Sequence, residues 1–239
     1  MIPKIIHYVW IGGKPLPDIA KKCIASWKRY CPDWQIIQWD ETNLDLQSCD
    51  YVKEAVAAKK WAFASDVLRL EKLYEYGGVY LDVDVELLRP LDEFLKEHCF
   101  GGFESGNVIN PGVIFGTEKD NLDIKNILDD YYSSNFVKNG KMDLTTICER
   151  VTKYYEKSGL KRIDEFQKLQ NITVYPSEYF SPINTITNKK HVTKNTHSIH
   201  WYNASWYPTN KKFARMVKKV LNFFTFGLFG KILYRSKNK

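Results

Sequence analysis

The sequence predicts an α/β fold built on a largely parallel sheet flanked by helices. Strand-like and helix-like segments alternate along most of the chain. Apolar residues make up 44% of the 239 and aromatic residues 15%, enough to build a packed core and to exclude disorder as the dominant state. No internal repeat or low-complexity linker breaks the pattern, so one large domain accommodates it.

Residues 4–11 are β-branched and aromatic and stop at Gly12-Gly13, which predicts a buried first strand and a turn. Pro15, Pro17 and Asp18 open a helix over 18–30. Gln35–Trp39 reads as a second strand. Residues 50–60 and 62–76 read as helices, the second closed by Gly77-Gly78. Val79–Leu88 reads as a strand ended by Arg89-Pro90, and 108–116 as a strand around Gly112. Helices are expected over 121–132 and 142–157 and a strand over 171–175. The polar segment 184–200, with His191, His197 and His200, reads as a loop.

Charge is unevenly placed. Nine of the 35 Lys/Arg and none of the 28 Asp/Glu lie in 209–239, which leaves the body slightly acidic. Nucleic-acid binding by the body therefore has no compositional support. In the tail, Phe213, Met216, Val217, Val220, Leu221 and Phe224 share one helical face. Lys211, Lys212, Arg215, Lys218, Lys219 and Asn222 share the other. A basic amphipathic helix of this kind lies on an anionic membrane surface or packs on its own protein. The following apolar run, 223–229, is too short to span a bilayer. The expected division is a domain over 1–208 and a membrane-associating tail over 209–239. Five scattered cysteines with no C-x-x-C pair speak against a zinc ribbon or a disulfide framework and for a reducing compartment. The N-terminus shows no secretory pattern.

Two clusters carry chemistry. On the helical wheel of 62–76, Asp66 falls inside the apolar arc and Arg69 at its edge. A carboxylate there must be paired. Either the two form an i, i+3 pair, or both point into a polar site at the sheet edge. Next, Gly77-Gly-Val-Tyr80-Leu-Asp82-Val-Asp84 ends an apolar strand in two carboxylates on one side of the chain. Adjacent like charges repel unless a cation lies between them, and hard oxygen ligands beside a diphosphate suit Mg²⁺ or Mn²⁺. A solvated strand end is the alternative. A phosphatase of Asp-X-Asp-X-Thr/Val type is a rival, but Glu86 stands where its hydroxyl belongs.

Four blocks in order resemble one family. They are Pro3-Lys-Ile-Ile-His7-Tyr-Val-Trp10-Ile-Gly-Gly13, Ala64-Ser65-Asp66-Val-Leu-Arg69, the Gly77–Asp84 run, and His200-Trp-Tyr-Asn-Ala-Ser205-Trp206. The chain is similar to the glycosyltransferases with a sugar-binding region containing a DXD motif, family 32, whose central block the large clostridial glucosylating toxins share. The resemblance covers 2–115 and, less closely, 170–207. It implies a GT-A fold and a nucleotide-diphosphate sugar donor, with Mn²⁺ or Mg²⁺ on the diphosphate. It implies a base-stacking Trp10 and donor contacts from Val9, Ser65, Asp66, Arg69, Tyr80, Asp82 and Val83. Metal ligation falls to Asp82, Asp84 and His200, with Asp84 the more direct carboxylate. Asp66, Arg69 and Asp84 are the expected catalytic residues, and Ser205 and Trp206 a lid. Asn110, beside Pro111-Gly112, either faces the transferred sugar or serves a turn, and His200 is otherwise a loop histidine without a ligand.

The resemblance further implies transfer, with retention of anomeric configuration, to a glycan or lipid-linked glycan. A UDP-sugar is the preferred donor, with a GDP-mannose-dependent mannosyltransferase as one alternative and a metal-dependent nucleotide-sugar hydrolase or phosphatase as another. The length and the basic tail favour surface-polysaccharide (capsule-type) synthesis in bacteria. The expected location is the cytoplasmic side, peripheral on the inner face of the cell membrane.

Overall fold

The computed structural model describes residues 1–203. Ser205, Trp206 and the whole basic segment 209–239, with the lid and membrane expectations placed on them, lie outside the described residues.

The elements follow in order: β1 (Ile5–Val9), α1 (Asp18–Tyr30), β2 (Gln35–Trp39), α2 (Asp50–Ala57), α3 (Trp61–Tyr76), β3 (Gly78–Tyr80), β4 (Val85–Leu87), β5 (Cys99–Glu104), β6 (Val108–Ile109), β7 (Phe115–Thr117) and α4 (Leu122–Tyr132). Then come β8 (Val137–Lys138), β9 (Lys141–Met142), α5 (Ile147–Glu156), β10 (Gln167–Lys168), β11 (Thr173–Tyr175), α6 (Ser177–Phe180) and β12 (Ser198–His200). The central sheet runs β10-β11-β5-β7-β3-β1-β2, with β6 pairing β5 off the main path. The β1–β2, β1–β3 and β11–β5 pairings are parallel, while β7 runs antiparallel to both β3 and β5. Five of the seven strands on the main path therefore point the same way, with β7 and β10 reversed.

Alternation along the strands feeds two cores, one per face. Val9, Tyr80, Cys99 and Phe103 point to the face covered by α2, α3, α4 and α5. Ile6, Tyr8, Val79, Leu81 and Phe100 point to the other, where Ala20, Cys23 and Trp27 of α1 pack with Phe94 and Phe180. Helix α1 sets Asp18 in its first turn and Lys28 and Arg29 in its last, favourable against its dipole. Helix α3 ends at Gly77, whose φ of +66° followed by +103° at Gly78 turns the chain straight into β3.

One buried contact ties three elements together. His7 on β1 is fully buried. Its Nε2 lies 2.7 Å from the Gly77 carbonyl, and its Nδ1 receives the Trp39 indole N–H of β2 at 3.0 Å. That arrangement requires the neutral ring with its proton on Nε2. Burial pushes the His7 pKa down to about 4.

Three sequence expectations are corrected, and one strand is added. The strand expected over 79–88 stops at Tyr80, and the chain turns through Asp82–Asp84 before β4 begins at Val85. The strand over 108–116 is split into β6 and β7, because the Asn110-Pro111-Gly112 turn intervenes. Strand β5 had no counterpart among the expected elements, and its Gly101-Gly102 pair is a turn-like signal locally. The glycines are there for packing, since a Cβ on Gly102 would lie 2.8 Å from Phe180. The segment 184–200 is not all loop. Its end forms β12, antiparallel to β4, with His200 opposite Val85.

Candidate active site

The parallel strands bring their C-terminal ends to one edge, where ligands bind in open α/β sheets. Trp10 follows β1 there and Asp82 follows β3, two neighbouring strands with His7 opposite Tyr80. Helix α3 runs antiparallel into β3, so its N-terminal half, with Ser65, Asp66 and Arg69, returns to the same edge.

The carboxylates of Asp82 and Asp84 and the His200 imidazole place one ligand atom each within 4.8 Å of one another. His200 Nε2 lies 3.2 Å from Asp84 Oδ1. Its Nδ1 is buried with no hydrogen-bond partner. The Tyr202 ring packs 4.0 Å from the His200 ring, centroid to centroid. Burial opposes the charged imidazole, but Asp84 together with the Asp82 and Glu104 charges outweighs it, and the His200 pKa is raised above its ordinary value.

Arg69 organises the other side. One terminal nitrogen lies 3.0 Å from Asp66 Oδ1 and the other 3.3 Å from Asp82 Oδ1. The guanidinium also donates to the Ser65 carbonyl and Oγ, both at 3.2 Å, and stacks 4.4 Å from the Tyr80 ring centroid. Tyr80 donates its hydroxyl to Asp82 at 3.2 Å. The i, i+3 pair forms, and Arg69 also reaches the Asp82 carboxylate. Burial pushes the Asp66 carboxyl up to about 7, Arg69 opposing and the nearby Asp82 charge adding to the rise.

Two carboxylates and one imidazole at this spacing fit a divalent cation. His200 turns Nε2 toward Asp84, and the approach of two carboxylates to that ring fits a group held at the centre of the cluster rather than a solvated strand end.

Asn110 is 8% exposed, and its side-chain oxygen accepts the Gly112 N–H at 2.7 Å, closing the turn. The Val9 and Val83 side chains are in the two cores, so only their backbones face the edge. Trp10 is half-buried and donates its indole N–H to the Lys14 carbonyl at 2.5 Å. No contact ties it to the carboxylate cluster among the described residues. Two residues went unread in the sequence. Gly112 lies so close to the cluster that a Cβ would sit 2.2 Å from Asp82 Oδ2, and its carbonyl accepts the Asp82 N–H at 2.7 Å. The Pro111-Gly112 pair was the available signal. Tyr202, at φ +50°, donates to Glu104 at 3.0 Å and lies 2.6 Å from Ser181 Oγ. Nothing in its local pattern marks it.

Residues 17–101 match the family described as "Glycosyltransferase sugar-binding region containing DXD motif". Inositol phosphoceramide mannosyltransferase 1 of Schizosaccharomyces pombe is 30% identical over 106 residues, covering 41% of this chain and 33% of that protein. Inositol phosphoceramide mannosyltransferase 3 of the same yeast is 34% identical over 101 residues, covering 39% and 27%. The match thus spans about a third or less of these curated relatives. Among solved structures, the PaToxG glycosyltransferase superposes with a TM-score of 0.51 at 19% identity, covering 65% of this chain and 68% of that one. The fold is of the GT-A glycosyltransferase class. Both mannosyltransferases are fungal, and the bacterial capsule-type setting gains no support from them.

Proposed function

We propose that the chain is a metal-dependent glycosyltransferase that moves a sugar from a nucleotide-diphosphate sugar to a hydroxyl of a glycan or lipid-linked acceptor. The observation that carries this is the convergence of Asp82, Asp84 and His200 within 4.8 Å on the sheet edge of a GT-A fold. Asp82, Asp84 and His200 would hold the cation. Two oxygen ligands with one imidazole favour Mn²⁺ over Mg²⁺, since a nitrogen ligand suits the softer ion. When bound, the ion would offset the negative charge that develops on the leaving diphosphate.

The side chains have distinct duties. Arg69 fixes Asp82 against Asp66, so the first metal carboxylate cannot swing away. Tyr80, stacked on Arg69, donates to the same oxygen of Asp82. Among the described residues, each carboxylate near the cluster is already engaged. Asp66 and Asp82 hold Arg69, Asp84 holds His200, and Glu104 receives Tyr202. We favour front-face transfer with retention, the course that the family resemblance implies, over double displacement.

The yeast relatives are named as mannosyltransferases, which supports a mannosyl donor, with GDP-mannose to be tried first and UDP-sugars beside it. Their names also support a lipid acceptor, which suits the basic amphipathic segment 209–239 and a peripheral membrane location. Among the described residues no helix is long and apolar enough to cross a membrane.

The test is a panel of nucleotide sugars with Mn²⁺, following nucleoside-diphosphate release and the anomeric configuration of the product by NMR. Consumption of one donor with a retained product is expected. An inverted product would overturn the front-face step, and no turnover or binding of any donor would overturn the transferase reading.

A further inference from the structure

The sheet edge that carries the metal cluster at β1 and β3 continues to the C-terminal ends of β5 and β11. A cavity of about 680 Å³ opens there. Glu104 closes β5 into it, and Ser177 and Glu178 enter it just after β11. The cavity is one side chain away from the cluster. Glu104 and Ser181 both line it and both hydrogen-bond the Tyr202 hydroxyl, at 3.0 and 2.6 Å. The Tyr202 ring in turn lies against His200, which faces Asp84.

The lining has a particular chemistry. Four carboxylates, Glu104, Asp164, Glu165 and Glu178, stand against Lys189 and His191, the basic side chains of the lining among the described residues. Asp164 also receives the Ser177 N–H and hydroxyl, at 2.6 and 2.5 Å, so it is held firmly in place. Glu178 likewise receives the Asn195 amide at 2.8 Å. A carboxylate oxygen has more than one lone pair, so each can still accept a hydroxyl proton from a ligand. Phe166 stands in this polar setting 54% exposed, its ring held edge-on by Tyr175 at 5.4 Å. A flat apolar face ringed by fixed acceptors matches a sugar ring, which has one C–H face and a rim of hydroxyl donors. The same carboxylates repel phosphate.

We infer that this cavity is the acceptor subsite and that it takes an uncharged sugar ring, stacked on Phe166 and hydrogen-bonded to the carboxylates, with any phosphate of the acceptor kept outside. The inference rests on the transferase reading. It divides the edge of the sheet between donor residues at β1 and β3 and the acceptor at β5 and β11.

The test uses the full chain with Mn²⁺ and the nucleoside diphosphate, GDP or UDP, that the donor panel selects. Methyl glycosides of mannose, galactose and glucose are titrated by ligand-observed NMR, with mannose 6-phosphate as the charged counterpart. One or more glycosides should bind, and Phe166→Ala should weaken that binding at least about fivefold, the range for losing one aromatic contact. Mannose 6-phosphate should bind at least about tenfold more weakly than the methyl mannoside, and Glu165→Lys should narrow that gap. Phe166 and Glu165 are both exposed, and if Phe166→Ala does not fold, the Glu165→Lys comparison decides alone. Nucleotide binding without glycoside binding would overturn the inference, as would glycoside binding that neither variant alters, or a phosphorylated sugar bound as tightly as the neutral one. Loss of nucleotide binding in the wild type would overturn the transferase reading first, and the acceptor subsite with it.

Discussion

His200 Nε2 meets Asp84 Oδ1 at 3.2 Å although 116 residues separate them. The contact follows from β12 lying antiparallel on β4, which sets His200 opposite Val85, directly after Asp84. The cluster proposed to hold the cation is thus shared between a turn after β3 and a strand at the far end of the described chain. Mn²⁺ with the correct nucleotide sugar should therefore raise the melting temperature by several degrees, as expected for about 2–3 kcal/mol of ligand stabilisation at saturation. Asp84→Ala should abolish the shift, and His200→Ala should weaken it. A full shift in Asp84→Ala would remove that residue from the metal site.

Gly112 is the steric partner of Asp82. Its φ is not left-handed, so the demand for glycine is one of space: a Cβ would meet Asp82 Oδ2 at 2.2 Å and Arg69 at 3.0 Å. Gly112→Ala should cost about 1–3 kcal/mol of stability by overpacking. It should also lower transfer activity at least about a hundredfold, since a metal ligand displaced by about 1 Å costs that much. Thermal melts and initial rates measure both. Full activity in a folded variant would show that Asp82 is not held in a critical position.

Arg69 bridges two carboxylates from a buried position with two separate terminal nitrogens, a fixed planar geometry that an ammonium lacks. Arg69→Ala should destabilise by about 3–5 kcal/mol, because it leaves Asp66 buried without its counter-charge. Arg69→Lys should keep most of the stability yet lower kcat at least about tenfold, because Asp82 loses its fixed partner. Equal kcat in Arg69→Lys and wild type would reduce Arg69 to a charge-balancing role.

His7 makes stability depend on pH in a window set by its depressed pKa. The folded protein holds it neutral to about pH 4, whereas the ordinary value is 6.5. Above pH 6.5 both folded and unfolded states are neutral here and the group adds no slope. Between 6.5 and 4 the unfolded chain takes up the proton first, so stability falls as pH falls, by about 1.4 kcal/mol per pH unit. Below 4 the penalty levels off. Denaturant melts from pH 7.5 to 4 should show this slope in wild type and a shallower one in His7→Gln. Parallel slopes would rule out His7 as the origin.

Removing 211–239 should release the protein from vesicles containing anionic lipid in a co-sedimentation assay, and high salt should do the same to the intact chain. If the truncated and intact chains sediment alike, the basic segment has another use.

Much of the architecture was readable because local chemistry dictates it. The ends of α1 follow from Pro17, Asp18 and the Lys28-Arg29 pair, and β1 and β2 from dense β-branched and aromatic runs. Strand β5 was hidden because its central glycines signal a turn locally, while their purpose is a non-local approach to Phe180. In the site, Asp82 and Asp84 were readable as a pair and Asp66 as a misfit on an apolar arc, since both are short-range patterns.

The sequence by itself determined the α/β character, the paired carboxylates after β3 and the basic segment, because each depends on residues within a few positions of one another. The tertiary structure decided that Arg69 spans Asp66 and Asp82, that β12 carries His200 to Asp84, and that Tyr202 joins the cluster to a cavity. Those relationships depend on sheet pairing over long separations, and no local propensity encodes which strand will lie beside which.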